Sequence, residues 1–210
     1  MTDALIWGAS GGMGRALVQM LAHSGWRVFA AARDTARIPD SAYRRYHFEA
    51  VDQALLRDVA LDLAHESSGL DLWIYAAGGL RAEQLHRMAP PSWNDVLDSN
   101  LNGAFMTATQ TVHLVREGGS IFFIGAYVDH LILPKMGAYA AAKAGLEALV
   151  EVLQKEQRHL NVSLVRPGAV DTPFWQNVPF HLPAAAKQPE AVAQAILEHH
   201  RKGGRGALDL

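Results

Sequence analysis

Apolar residues in this chain recur in two alternating rhythms. Short runs that are apolar on both sides predict strands at 4–7, 27–31, 43–48, 70–75, 120–124 and 161–165, with a short last strand at 207–210. Between them, apolar positions return every three or four residues and predict helices over 12–24, 54–67, 92–116, 139–159 and 190–201. Met13, Leu17, Met20 and Leu21 share one face of the first helix, and Leu55, Val59 and Leu63 one face of the second. Ser92, after Pro90-Pro91, reads as the N-cap of the third. Strands alternating with helices need crossovers, so the predicted fold is α/β: one doubly wound, Rossmann-like, mostly parallel sheet with helices on both faces. At about 150 residues per domain, 210 residues make a single domain spanning 1–210. The stretch 167–187 breaks the rhythm. It holds Pro173, Pro179 and Pro183 among Phe174, Trp175, Val178, Phe180 and Leu182. So long and apolar a loop is expected to be a lid or binding loop, with its substrate portion at about 171–187.

Composition narrows the function classes. Half the residues are hydrophobic and 19% are charged, enough apolar material for a core. Lys and Arg total 19 against 21 Asp and Glu, so neither a nucleic-acid partner nor an anionic membrane is expected. The absence of cysteine excludes disulfide scaffolds, thiol catalysis and thiolate-bound metals. The ten histidines lack a carboxylate-backed His-x3-His pair, so no metal is expected; they read as surface and structural residues, with His199-His200 near the exposed C-terminus. No apolar run reaches about 18 residues and no basic stretch precedes Leu5, so the expectation is a cytoplasmic protein with neither a membrane span nor a secretory leader.

Chemistry enters at Gly8-Ala9-Ser10-Gly11-Gly12-Met13-Gly14, between the first strand and the first helix. Glycine permits a sharp turn and close backbone approach. A helix N-terminus supplies unpaired N–H groups and a positive dipole end for phosphates. Ser10 adds a hydroxyl for a phosphate hydrogen bond; with no His/Asp partner pattern it does not suggest a hydrolase. At the end of the second strand Ala32 holds the place of an acidic ribose-binding residue and Arg33 follows. That favours NADP(H) over NAD(H), while the neighbouring Asp34 argues the other way. Tyr139 and Lys143 lie one helical turn apart on one face. An ammonium there is expected to lower the phenol pKa from about 10, letting the Tyr trade a proton with a carbonyl oxygen.

In order and placement these pieces resemble the short-chain dehydrogenase/reductase family from about Leu5 to Arg201. The glycine spacing is similar to TGxxxGxG, with Trp7 in place of Thr. Tyr75-Ala76-Ala77-Gly78 resembles the NNAG element without its two Asn, and Asn100-Leu101-Asn102-Gly103 resembles N-x-x-G, with Asn102 a competitor for the Asn role. Ala138-Tyr139-Ala140-Ala141-Ala142-Lys143 resembles the catalytic Tyr-x3-Lys segment, and Pro167-Gly168-Ala169-Val170-Asp171-Thr172 the PGxxxT segment that closes over a nicotinamide. Glu49 stands where many members carry an Asp near the adenine. The resemblance implies an oxidoreductase acting on a small carbonyl or alcohol, with Tyr139 as general acid/base, Lys143 as its partner and ribose ligand, and Asn100 distorting its helix to hold a relay water. It also implies a homo-oligomer. The short C-terminal region favours a dimer through helices 92–116 and 139–159, with a tetramer as the alternative.

One departure bears on chemistry. The family's catalytic Ser, thirteen residues before the Tyr, is Ala126 here. Either Tyr127 or a substrate-borne hydroxyl supplies the lost bond, or the acceptor is an easier one, or the chain binds cofactor without efficient turnover. Ala126, Tyr127, Phe174 and Trp175 are the expected substrate-facing residues. The rival reading is a non-catalytic NADP(H)-binding sensor or partner protein on the same fold.

Overall fold

The computed structural model describes residues 2–210. Seven strands form one all-parallel sheet: β1 (Asp3–Trp7), β2 (Arg27–Ala32), β3 (Arg44–His47), β4 (Leu70–Tyr75), β5 (Val115–Ile124), β6 (Asn161–Arg166) and β7 (Gly206–Asp209), in the order β3-β2-β1-β4-β5-β6-β7. The order reverses between β1 and β4, which pair from Ala4↔Leu72 to Trp7↔Tyr75. A doubly wound sheet opens its ligand crevice at that switch point, beyond the strands' C-terminal ends.

Alternation of side chains along each strand divides the core in two. On one face Leu5, Trp7, Phe29, Trp73, Tyr75, Ile121 and Phe123 pack with α2 (Gln53–Glu66), α4 (Gly103–Thr111) and α5 (Gly137–Glu156). On the other, Ala4, Ile6, Val28, Ala30, Ile74 and Phe122 pack with α1 (Gly12–His23) and α6 (Pro189–Arg201). Both faces are covered, which is why the strands read as continuous apolar runs.

The structure corrects one expectation and adds detail to two others. The predicted helix 92–116 is three pieces: α3 (Pro90–Leu97), a wider π-helical turn (Asp98–Asn102) and α4. It begins at Pro90 because proline suits a first helical turn, where its missing N–H costs nothing. It stops before Val115, where β5 starts early and bulges between Leu70↔Val115 and Leu72↔Ser120. The stretch 167–187 contains a 3-10 turn (Pro173–Asn177), and its base is pinned by Asp171 N–H to the Lys187 carbonyl (2.8 Å) and Lys187 N–H to the Ala169 carbonyl (2.9 Å). His199 and His200, half-buried, take the structural role. They meet the buried Ser163 (3.2 Å) and Ser120 (2.7 Å) hydroxyls, and burial lowers both imidazole pKa values.

Candidate active site

The glycine loop sits on the end of β4. Gly8 has φ +84°, and a Cβ there would lie 2.6 Å from Ala77 Cα and 2.7 Å from the Ala76 carbonyl carbon. The chain therefore passes directly over Ala76-Ala77. Gly12 faces the segment that follows β6: a Cβ on it would come within 2.5 Å of Thr172 Cγ2. The helix it opens has no side-chain cap and no acidic residue in its first turn. A Cβ on Gly11 would meet only the Gly8 carbonyl oxygen, at 3.5 Å. These are the features a pyrophosphate needs: free N–H groups, a positive dipole end and no side chain in the way. Ser10 and Met13 are half-buried beside them. The residues present fit a dinucleotide.

A second cluster forms where α5 and the π turn meet the end of β5. Asn100 is fully buried; its amide donates to the Gly79 (2.7 Å) and Val96 (2.8 Å) carbonyls, and its Oδ1 has no partner within the protein. The π turn places it there, since one extra residue rotates Asn100 inward. Asn102 is exposed and bonds Asp98 (2.7 Å), so the buried site takes Asn100. A Cβ on Gly78 would meet Asn100 Oδ1 at 2.7 Å and Lys143 Nζ at 3.9 Å, so the three lie together. Lys143 is buried; its Nζ donates to the Ile124 carbonyl (2.8 Å) and lies 5.5 Å from the Tyr139 ring centroid. Phe174, from the loop, leans on Tyr139 with centroids 5.4 Å apart. The same loop encloses an open pocket of about 580 Å³ lined by its own residues, Thr172, Trp175, Phe180, His181 and Leu182 among them.

The electrostatics correct the sequence reading. Burial raises the Tyr139 pKa, and the ammonium does not pull it down within the protein itself. Lys143 is pushed down to about 8 by burial. An ammonium whose folded pKa lies below its ordinary value costs stability. The cost is absent above about pH 10.5, grows as pH falls towards 8, and is fully present below that. At pH 7 it amounts to about 3 kcal/mol. Replacing Lys143 with Met removes that cost but strands the Ile124 carbonyl, worth about 1–3 kcal/mol. Thermal denaturation of Lys143→Met at pH 7 is therefore expected to give a Tm no lower than that of the unaltered protein.

Tyr127 is the other correction. Its hydroxyl donates to the Leu210 carbonyl (3.4 Å) and its ring packs on the Arg166 guanidinium (5.5 Å), which also bonds Asp209 and Glu147. These contacts turn it towards β7. Ala126, two residues past the Ile124 carbonyl, is half-buried. Arg33 and Glu49 are exposed at the ends of β2 and β3, with His47 between them: Nδ1 on the Arg33 carbonyl (3.0 Å), Nε2 3.9 Å from Glu49. Pro167 and Val170 are buried, and Gly168 turns with φ +69°. Two residues escaped the sequence reading. Arg15 of α1 donates to the Arg37 carbonyl (3.1 Å), which brings two further guanidinium-bearing residues together near the end of β2. Nothing in local spacing signals that, because the contact spans 22 residues.

A parallel sheet with a glycine-rich loop over its switch point and a Tyr, Lys and Asn beside it defines a nucleotide-binding oxidoreductase fold. The chain belongs to the short-chain dehydrogenase family: residues 2–181 match the family model described as short chain dehydrogenase. It is 31% identical over 189 residues to a 3-amino-tetrahydro-pyrrolizinone reductase of Xenorhabdus hominickii, covering 81% of this chain and 62% of that protein. It is 31% identical over 181 residues to the 3-oxoacyl-(acyl-carrier-protein) reductase FabG of Escherichia coli K12, covering 80% of this chain and 73% of that one. An alcohol dehydrogenase from Thermococcus sibiricus, solved with 5-hydroxy-NADP, superposes with a TM-score of 0.89 at 24% identity, over 100% of this chain and 96% of that one. Among the described residues, no helix is long and apolar enough to cross a membrane.

Proposed function

We propose that this protein is an NADP(H)-dependent oxidoreductase interconverting a small carbonyl compound and its alcohol, with Tyr139 as general acid/base. The convergence of Tyr139, Lys143, Asn100 and Gly78 beside the glycine loop carries this reading. When bound, the nicotinamide cofactor supplies or accepts the hydride. Gly8, Ser10, Gly11, Gly12, Met13 and Gly14 would hold its pyrophosphate, and Ala76, Ala77, Gly78, Pro167, Gly168, Val170 and Thr172 would line its path to the strand ends. Tyr139 holds its proton because burial disfavours the phenolate, and a neutral phenol is the state that donates to a carbonyl oxygen. Lys143, fixed by Ile124 beside the Tyr139 ring, would present its remaining protons to the phenol and to the ribose of the cofactor. Asn100 Oδ1, an unpaired buried acceptor, is a natural station for a water that passes protons onward. The loop 171–187 closes Phe174 and Trp175 over the substrate and excludes solvent.

Preference for the phosphorylated cofactor rests on Arg33. The Asp34 carboxylate accepts from the Ala36 N–H (3.2 Å), capping a turn rather than facing a ribose. Glu49, exposed beyond the end of β3, would lie near the adenine. A guanidinium–phosphate bond is worth about 1.5–3 kcal/mol. Arg33→Ala is expected to raise the KM for NADPH about 10- to 100-fold and to leave that for NADH within about threefold. Equal effects on both cofactors would refute the assignment.

Ala126 favours a second reading, a non-catalytic NADP(H)-binding sensor or partner protein. The two are separated by following NADPH oxidation over ketones, aldehydes and quinones, with Tyr139→Phe alongside. Tyr139-dependent turnover of any of them supports the enzyme. Tight NADPH binding with no such turnover supports the sensor.

A further inference from the structure

The carbonyl oxygen bonded by Tyr139 needs a second donor, and the residues around it leave that place unfilled. Ala126 carries no hydroxyl. Tyr127, the neighbour able to replace one, points its hydroxyl at Leu210 and lays its ring on Arg166. Lys143 spends a proton on Ile124 and sits beneath the Tyr139 ring. Asn100 directs its amide protons at Gly79, Val96 and Ser99 and offers the site only an acceptor. The loop lays the flat apolar ring of Phe174 on Tyr139, and Trp175 and Phe180 line the loop's own pocket. The site thus has Tyr139 as its proton donor for the oxygen, no hydroxyl on the half-buried Ala126 two residues past the Ile124 carbonyl that holds Lys143, and an aromatic wall at Phe174.

Resting on the carbonyl-reductase reading, we infer that the substrates are planar aromatic ketones that carry their own second donor, a phenolic hydroxyl ortho to the carbonyl and hydrogen-bonded to its oxygen. Hydride from the reduced nicotinamide dinucleotide adds to the carbonyl carbon. The C=O π pair moves onto oxygen, and Tyr139 gives that oxygen its proton. The ketone gains two electrons and becomes a secondary alcohol, the dinucleotide is oxidised, and solvent returns the proton to Tyr139. The substrate's own hydroxyl holds the developing alkoxide where the side chain at position 126 does not. Removing one such donor costs about 10²- to 10³-fold in rate.

The test compares 8-hydroxy-1-tetralone, 8-methoxy-1-tetralone and 1-tetralone on the unaltered protein and on Ala126→Ser, with an aliphatic aldehyde as reference substrate. Both kcat/KM and the Kd of each ketone by calorimetry with NADP⁺ present are measured. The hydroxy ketone is expected to exceed the other two by about 100-fold in kcat/KM on the unaltered protein. Ala126→Ser is expected to raise the other two by at least about tenfold, to tighten their Kd, and to shrink the preference below about tenfold. Equal turnover of the three ketones, a preference that survives Ala126→Ser, or no turnover of any ketone would overturn the inference. In each of those cases Tyr139-dependent reduction of the aldehyde would leave the oxidoreductase reading standing, and its absence would remove that too.

Discussion

Tyr139→Phe is expected to lower kcat for carbonyl reduction by about 10²- to 10⁴-fold while changing the NADPH Kd by less than about threefold. The size follows from chemistry. The developing alkoxide is a strong base in a half-buried setting, and removing its proton source forfeits the general-acid contribution. The selectivity follows from geometry. The ring packs between Phe174 and Lys143, and phenylalanine keeps both contacts. Pre-steady-state NADPH oxidation beside equilibrium cofactor titration measures the two quantities separately. Because burial raises the phenol pKa, the proton-donating form persists through neutral pH, and the reverse reaction, which needs the phenolate, is expected to quicken as pH rises. A 100-fold loss of cofactor affinity in the variant would instead make Tyr139 a packing residue.

Gly8→Ala is expected to be strongly damaging, because one methyl group there meets both a backbone cost and a collision. At φ +84° an L-residue costs about 1–2 kcal/mol. The added Cβ would also press on the Ala76-Ala77 backbone, which cannot rotate away, for about 1–3 kcal/mol more. For a domain of this size each kcal/mol moves Tm by about 2–4 °C, so a fall of about 4–20 °C is expected. Dinucleotide affinity should fall at least tenfold, since the loop must shift off β4. Gly118→Ala is the control. That glycine has φ +75° but nothing within 4 Å of its Cβ position, so it carries the backbone cost without the collision. Similar Tm losses in both variants would show that contact with β4 contributes nothing.

How much of this was legible in the sequence depends on the range of each interaction. The strands were readable because burial on both faces leaves uninterrupted apolar runs, as in Ala4-Leu5-Ile6-Trp7. The glycine loop and the Tyr139–Lys143 pair were readable because their spacing is local. The long helix was not, because its apolar spacing runs through the π turn without a visible break and only the partners of Asn100, at Gly79 and Val96, reveal the change. Nor was the fate of Tyr127, whose partner Leu210 is 83 residues away. His199 and His200 looked exposed near the chain's end, yet α6 lays them against Ser163 and Ser120. The raised pKa of Tyr139 is hidden from the sequence for the same reason. One helical turn predicts proximity to Lys143, but burial depends on the whole fold, and burial is what sets the direction of the shift.

The most direct measurement is a crystal structure of the protein with NADP⁺ and a bound alcohol or ketone. The account predicts the Tyr139 hydroxyl at about 2.6–3.2 Å from the substrate oxygen, with the nicotinamide ring facing the same carbon and Lys143 on the ribose. A dinucleotide bound elsewhere, or a Tyr139 hydroxyl directed away from it into solvent, would contradict it.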